Sequence, residues 1–143
     1  MKIIAHRGNI SGKIKELENS PEHIMNAIKE GFDAEVDVWY NDNQWCLGHD
    51  KPDHKVEFNF FTSEMWLHCK NLQAVEKLKG TNLNWFWHET DKIAQTSAGH
   101  IWCYPNVHVD NSIMVILGLP HETPRNLKGV CTDHAISWRE FSS

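Results

Sequence analysis

Apolar runs recur along the chain, and most of them end in a charged or imidazole-bearing residue or in glycine. Lys2 to Ala5 stops at His6-Arg7-Gly8. Asp33 to Trp39 carries Glu35 and Asp37, and Gln44 to Gly48 stops at His49-Asp50. Met65 to Cys69 leads into Lys70-Asn71, and Asn84-Trp85-Phe86-Trp87 into His88-Glu89. Ile101 to Tyr104 ends at Pro105, Ile113 to Leu117 at Gly118, and Val130-Cys131 at Thr132-Asp133-His134. Short apolar runs bounded by turn residues read as buried strands. Between the first two, Ser20 supplies an N-cap and Pro21 a first helical position. Ile24, Ala27 and Ile28 then recur at helical spacing until Gly31, which predicts a helix over 20–30 and hence a βαβ unit. Leu72, Val75 and Leu78 predict a second helix over 72–79 that stops at Gly80. A third helix is expected between 91 and 97. Residues 9–19 read as a polar loop, and 51–63 as a loop lying over the opening.

Eight such runs, with reactive side chains gathered at their C-terminal ends, describe a (β/α)8 barrel of the TIM type. These barrels usually take about 250 residues, and the chain has 143. The expectation is therefore a compact barrel with several helices shortened or missing, one domain over 1–143; an open α/β sheet is the structural alternative. A hydrophobic content of 41% is enough to fill one core. The formal charge of −5 argues against nucleic acid as a partner, because phosphate-backbone binding needs clustered Lys and Arg. Cys46, Cys69, Cys103 and Cys131 form no Cys-x-x-Cys pair and sit in strand-like runs, so buried reduced thiols in a cytoplasmic protein are expected, with a zinc cluster as the weaker reading. The N-terminus turns polar too soon for a signal segment or a membrane span.

Glu35 and Asp37 are two apart, and alternate side chains of a strand share a face. Two adjacent carboxylates repel, and a divalent cation between them removes the repulsion. The plain alternative is the polar outer face of a half-exposed strand. Asn41-Asp42-Asn43 reads as a turn. A hairpin centred on Asp42 would set Glu35 opposite His49, and a parallel arrangement could also bring His49 back to the carboxylates. His49 and His6 titrate near neutrality and suit acid and base work, although a histidine at a strand end can equally be structural. Arg7 suits phosphate because its guanidinium donates two parallel hydrogen bonds. Glu18 and Asn19 read as braces for the first loop.

The ordered set His6-Arg7-Gly8, Glu18-Asn19-Ser20-Pro21, Gly31 to Val38 with Glu35 and Asp37, and His49-Asp50 resembles the glycerophosphodiester phosphodiesterase family, densely over residues 3–50 and patchily afterwards. Gly129 to Asp133 also resembles that family's last barrel strand. The resemblance implies a TIM-type barrel in which Glu35 and Asp37 hold a divalent metal while His6 and His49 act as general base and acid. It also implies that a substrate hydroxyl beside the phosphate can attack first, water then opening the cyclic product. At the fourth strand the family has a Glu two residues before a Lys, and this chain has His68-Cys69-Lys70. Lys70 can touch the phosphate. His68 replaces the third metal carboxylate, which moves the preference from Ca²⁺ toward Mg²⁺ first, with Mn²⁺ and Zn²⁺ also possible; Glu89 or Asp133 could supply the missing oxygen instead. Trp66, Trp85, Trp87 and Trp102 read as volume fillers, or as a platform for a sugar ring. The function expected is metal-dependent hydrolysis of a small glycerol- or sugar-linked phosphodiester. The alternative is a catalytically weak domain that binds a phosphorylated sugar or lipid headgroup.

Overall fold

The computed structural model describes residues 1–142. The chain runs through β1 (Lys2–His6), α1 (Pro21–Lys29), β2 (Asp33–Asn41), β3 (Gln44–Leu47) and β4 (His54–Val56). A 3-10 turn at Phe58–Phe60 follows, then β5 (Met65–Cys69), α2 (Leu72–Leu78), β6 (Asn84–Trp87) and β7 (Ile93–Gln95). It closes with β8 (Ile101–Cys103), β9 (Ile113–Val115), β10 (Gly129–Thr132) and α3 (Ala135–Ser142). All eight apolar runs are strands, but only seven of them run parallel, in the order β6-β5-β2-β1-β10-β9-β8.

The expected (β/α)8 barrel is therefore not what the chain forms. It builds one mixed ten-stranded sheet, curled into a half-barrel, with three short helices. Two features break the barrel pattern. The third run, β3, turns back antiparallel on β2 and pairs in turn with β4, so a hairpin extension replaces a helix there. The stretch expected as a third helix, 91–97, contains strand β7, antiparallel to β8. From β6 to β10 no helix intervenes among the described residues. Where the curl brings its ends together, Ser97 N donates to Trp85 O at 2.7 Å and Trp85 N to Ser97 Oγ at 2.8 Å.

The helices form for local reasons. Ser20 Oγ accepts from His23 N at the start of α1, Pro21 follows, and Ile24 and Ala27 are buried. Asn71 caps α2 through Ala74 N at 3.0 Å and also exchanges hydrogen bonds with the Tyr40 backbone, which ties the end of β2 to the start of the helix. The α3 helix has no counterpart in the sequence expectations; it buries Ala135 and Trp138, and Trp138 Nε1 donates to Gly118 O.

Three apolar clusters result. One packs α2 and β4 behind β2, β3, β5 and β6. A second sets Ala5, Ala27, Phe32 and Ala135 between β1 and its helices. The third fills the inside of the curl with Ile4, Trp66, Phe86, Trp102, Ile113, Val115 and Cys131. Each fully buried side chain of this size contributes about 1.5–3 kcal/mol. Along β6 the alternation is plain: Phe86 points into the curl while Trp85 and Trp87 pack on its outside. All four cysteines are free and buried. No helix among the described residues is long and apolar enough to cross a membrane.

Candidate functional site

Because seven strands are parallel, their C-terminal ends open at one end of the curl. A cavity of about 390 Å³ lies there, lined by His6, Arg7, Glu35, Asp37, His49, His68 and Lys70 together with a wall of Trp87, His88, Glu89, Trp102 and Tyr104. His6, Arg7, Glu35, Asp37, His49, His68 and Lys70, the residues given roles from the sequence, all border this one space, as does Glu89; Asp133, the other alternative metal oxygen, is not among its lining residues.

Sheet register accounts for most of the gathering. His6 on β1 is the lateral partner of Glu35 on β2, and Asp37 is the partner of His68 on β5. Parallel partners point to the same face, so these side chains meet above the apolar plug. Glu35 and Asp37 are 3% and 1% exposed, which makes their charges costly unless paired. Asn19 closes on Asp37 twice, Nδ2 donating to Oδ2 and Oδ1 accepting from the Asp37 N–H, both at 2.9 Å. Asn19 has φ 64°, a conformation asparagine tolerates better than most residues.

Arg7 also has positive φ, 54°, and Gly8 follows at 87°. A side chain on Gly8 would press against His23 at 3.0 Å, so glycine is needed for the turn after β1. That turn aims Arg7 N at Glu35 Oε1, 3.3 Å away, while the guanidinium reaches Glu18 Oε1 at 3.1 Å and lies 3.4 Å from Asp37 Oδ2. The bracing role expected for Glu18 and Asn19 is thus what they perform.

His68 is the hinge of the electrostatics. Its Nε2 faces the His88 carbonyl at 3.2 Å, so that nitrogen carries a proton and donates. Its Nδ1 then confronts Asp37 Oδ1 at 3.1 Å and Glu35 Oε2 at 3.6 Å. A bare lone pair cannot face two carboxylates; a proton or a cation must sit there. Burial lowers the His68 pKa, but the bond to Asp37 and the pull of Glu35 outweigh it and raise it to about 9. Burial likewise pushes the Asp37 carboxyl up, and His68, Asn19 and Arg7 overcome this to hold it well below the usual range.

One ligand atom each from Glu35, Asp37 and His68 lie within 4.8 Å of one another, and these three form the metal-capable cluster among the described residues. Two further details fit a cation. Asp37 Oδ1 is buried without a well-formed hydrogen bond, and His68 has the outer-nitrogen-to-carbonyl bond that orients metal-binding imidazoles.

The remaining expectations divide. The hairpin is real, but Trp39 pairs with Cys46 and Asn41 with Gln44, so its centre lies between Asp42 and Asn43 rather than on Asp42. Both have positive φ, as a two-residue hairpin turn requires. Glu35 therefore does not face His49 across the pair. His49 reaches the rim by another device: the backbone turns at Gly48, where any side chain would strike the Lys51 carbonyl. His49 is 40% exposed at its side chain and pairs with Asp50 at 3.0 Å. Burial lowers its pKa. Lys70 borders the cavity after β5, its backbone N–H donating to Val38 O.

Asp133, considered as a spare metal oxygen, has a different task. Its Oδ1 lies 2.8 Å from His6 Nδ1 and accepts from Asn9 Nδ2 at 2.9 Å, outside the metal cluster. Burial lowers the His6 pKa, yet the Asp133 bond and the Glu35 charge more than reverse this, so His6 is raised. Asn9 joins Glu18, Asp133 and His23 in one network that sequence reasoning missed; its place directly after His6-Arg7-Gly8 was the available signal. Trp66 and Trp102 fill the curl, as volume fillers should, but Trp102 also borders the cavity. Comparison with family models, with curated proteins and with solved structures finds no significant match.

Proposed function

We propose that this protein is a divalent-metal-dependent phosphodiesterase acting on a small phosphodiester, and that it is a short, divergent relative of the glycerophosphodiester phosphodiesterases its motifs resemble. The observation that carries the reading is the meeting of Glu35, Asp37 and His68 within 4.8 Å on the floor of a cavity that His6, Arg7, His49 and Lys70 also border. Glu35, Asp37 and His68 would hold the cation, whose part is to neutralise charge on the phosphate. Mg²⁺ is the first candidate, and the mixed oxygen and nitrogen donors also suit Mn²⁺ or Zn²⁺.

The protein's own groups do the rest. A phosphodiester anion repels an incoming oxygen nucleophile, and Arg7 and Lys70 offset that repulsion by binding its non-bridging oxygens. As the new P–O bond forms, one histidine takes the proton of the attacking hydroxyl. As the bond to the departing alcohol breaks, the other gives a proton to the alkoxide. His6 and His49 are suited to the two parts because their surroundings push them in opposite directions, His6 up and His49 down. Asp133 holds His6 by Nδ1, leaving Nε2 for the substrate.

A second reading has its own support. The ion pair of His68 with both carboxylates satisfies the floor by a proton alone, as in a domain that binds a phosphorylated sugar or headgroup without cleaving it. Turnover of a panel of phosphodiesters, under EDTA and with Mg²⁺, Mn²⁺, Ca²⁺ or Zn²⁺, separates the two. Hydrolysis that requires metal and is lost in Glu35→Ala and His49→Ala is expected. Activity indifferent to metal and to both substitutions would remove the mechanism, and binding without turnover would establish the second reading.

A further inference from the structure

Six buried side-chain polar atoms among the described residues lack a hydrogen-bond partner, and three of them belong to residues that border the cavity: Arg7 Nε, Asp37 Oδ1 and Trp102 Nε1. The first two belong to the phosphate and metal floor. Trp102 does not. It comes from β8, on the wall facing that floor, and it is 2% exposed. An indole N–H kept from water without a well-formed hydrogen bond is unfavourable, and the acceptor the chain places nearest to it is the Tyr104 hydroxyl. That hydroxyl interacts with the Trp102 indole yet leaves Nε1 short of a well-formed hydrogen bond, so a ligand oxygen can complete it.

The aromatic rings of this wall have few open faces. Trp102 is packed between Phe86, at 4.8 Å and 31°, and Trp66, at 5.7 Å and 39°. Tyr104 is stacked on His88 at 3.8 Å and 17°. A nucleobase or a quaternary ammonium is recognised by open ring faces, and Trp102 packs against Phe86 and Trp66 while Tyr104 has His88 on one face. The Trp102, Tyr104 and Glu89 side chains that border the cavity carry an indole N–H, a phenol hydroxyl and a carboxylate. Donors and an acceptor at aromatic edges match a ligand rich in hydroxyl groups.

We infer that the β6–β8 wall is the binding site for the sugar of a sugar-linked phosphodiester, with Trp102 Nε1 donating to one of its oxygens and the Tyr104 hydroxyl and Glu89 engaging its hydroxyls. This rests on the proposed function for the placing of the phosphate, and it adds the substrate class and the residues that select it.

The test reads the wall separately from the chemistry. In ¹H–¹⁵N spectra with Mg²⁺ present, the Trp102 indole resonance, assigned by its loss in Trp102→Phe, is followed during addition of a hexose 1-phosphate, inorganic phosphate, phosphocholine or phenyl phosphate. The hexose phosphate should move it and the other three should leave it in place. In turnover, Trp102→Phe and Tyr104→Phe should each raise KM for a sugar-linked diester by about 5- to 10-fold, with little change for methyl p-nitrophenyl phosphate. An indole signal that ignores the hexose phosphate, or that follows phosphate, phosphocholine or phenyl phosphate equally, overturns the inference even if the enzyme hydrolyses diesters. An indole signal that follows the sugar in a protein that cleaves nothing upholds the wall and removes the hydrolase reading. Tyr104→Phe keeps the turnover arm decisive if the buried Trp102 substitution impairs folding.

Discussion

The two sides of the cavity are built on different principles. On the side of β1, β2 and β5, charged groups are clamped: Asp37 by Asn19, Arg7 and His68, Arg7 by Glu18 as well, His6 by Asp133. Helices α1 and α2 and strands β3 and β4 back this side, so its strands are buried on both faces. On the other side the inward groups are Phe86 of β6, Trp102 of β8 and Val115 of β9; beyond β6, which still leans on α2, no helix occurs in the chain before β10, and loops and β7 make the connections. A charge in a buried place is stable only while its partners stay within a few tenths of an ångström, and that requires a stiff support. Interlocked rings supply volume and tolerate small shifts. The chain thus economises on helices where packing alone is asked for, and keeps them where ion pairs must be held.

If this contrast is right, the greatest damage should come from a change that barely alters shape on the clamped side. Asp37→Asn is nearly isosteric, yet it leaves Arg7 and a protonated His68 without their common counter-charge. Breaking a buried ion pair at one partner costs about 3–5 kcal/mol. Urea unfolding should show a loss of that order together with lost metal binding; an unchanged midpoint would mean that the clamp contributes little.

Next in size is a pH effect. The His68 pKa is raised by Asp37 and Glu35 to about 9, against an ordinary 6.5. A raised folded-state pKa stabilises the protein fully below 6.5, and the benefit is lost as pH climbs toward about 9; for a group this buried it amounts to at most about 3 kcal/mol. The lowered pKa of Asp37 acts at the other end, its contribution lost only in strong acid as pH falls below the ordinary 3.8. Metal-free protein should therefore weaken between neutral pH and pH 9, and His68→Gln should flatten that slope. Metal affinity should climb over the same interval, because the cation must displace the Nδ1 proton.

Asp133→Asn comes third. A hydrogen bond to a charged group contributes about 1.5–3 kcal/mol. The raised His6 pKa supports the fold below the ordinary 6.5 and ceases to do so as pH rises past its folded value. The substitution should lower the His6 pKa, visible in its ring-proton titration, and cost about 2 kcal/mol at pH 6. A His6 titration that does not move would show that Glu35, rather than Asp133, sets it.

Much of the clamped side is legible in the residues themselves. His6 and His68 stand at or next to the ends of β1 and β5, and period-two alternation within β2 puts Glu35 and Asp37 on one face, while the register that brings the three strands level is not written in any one of them. Ser20-Pro21 and Gly31 bound a helix within a residue or two. The other side was harder to read. Ile93 to Gln95 lies in a stretch with mixed polar spacing, and only its pairing with β8 makes it a strand. The α3 helix depends on Trp138 finding Gly118 O, a contact twenty residues away in the chain. Eight apolar runs suggested eight parallel strands because a run carries no sign of its direction, and β3 reverses through the Asp42-Asn43 turn. The His68 contact to the His88 carbonyl is made by backbone, which leaves no mark on residue type.

The smallest effect tests the tolerant side at the place where it touches the other. Phe86 is 1% exposed, with its ring on His68 at 4.9 Å and 11° and on Trp102 at 4.8 Å. Replacement by leucine keeps an apolar side chain of similar bulk, and such exchanges usually cost less than about 1.5 kcal/mol. Loss of the two ring contacts belongs to the same range, about 0.5–1.5 kcal/mol for an aromatic pair, so Phe86→Leu should cost about 1 kcal/mol, well below Asp37→Asn. The His68 ring keeps its bonds to His88 O and its ion pairs to Asp37 and Glu35, so metal affinity should change little. Two measurements decide it: the unfolding midpoint and the metal dissociation constant of the same variant. A midpoint that falls as far as that of Asp37→Asn would make the rings as unforgiving as the charges. A preserved midpoint with a large drop in metal affinity would show instead that Phe86 holds His68 in place, and that the two sides form one clamp.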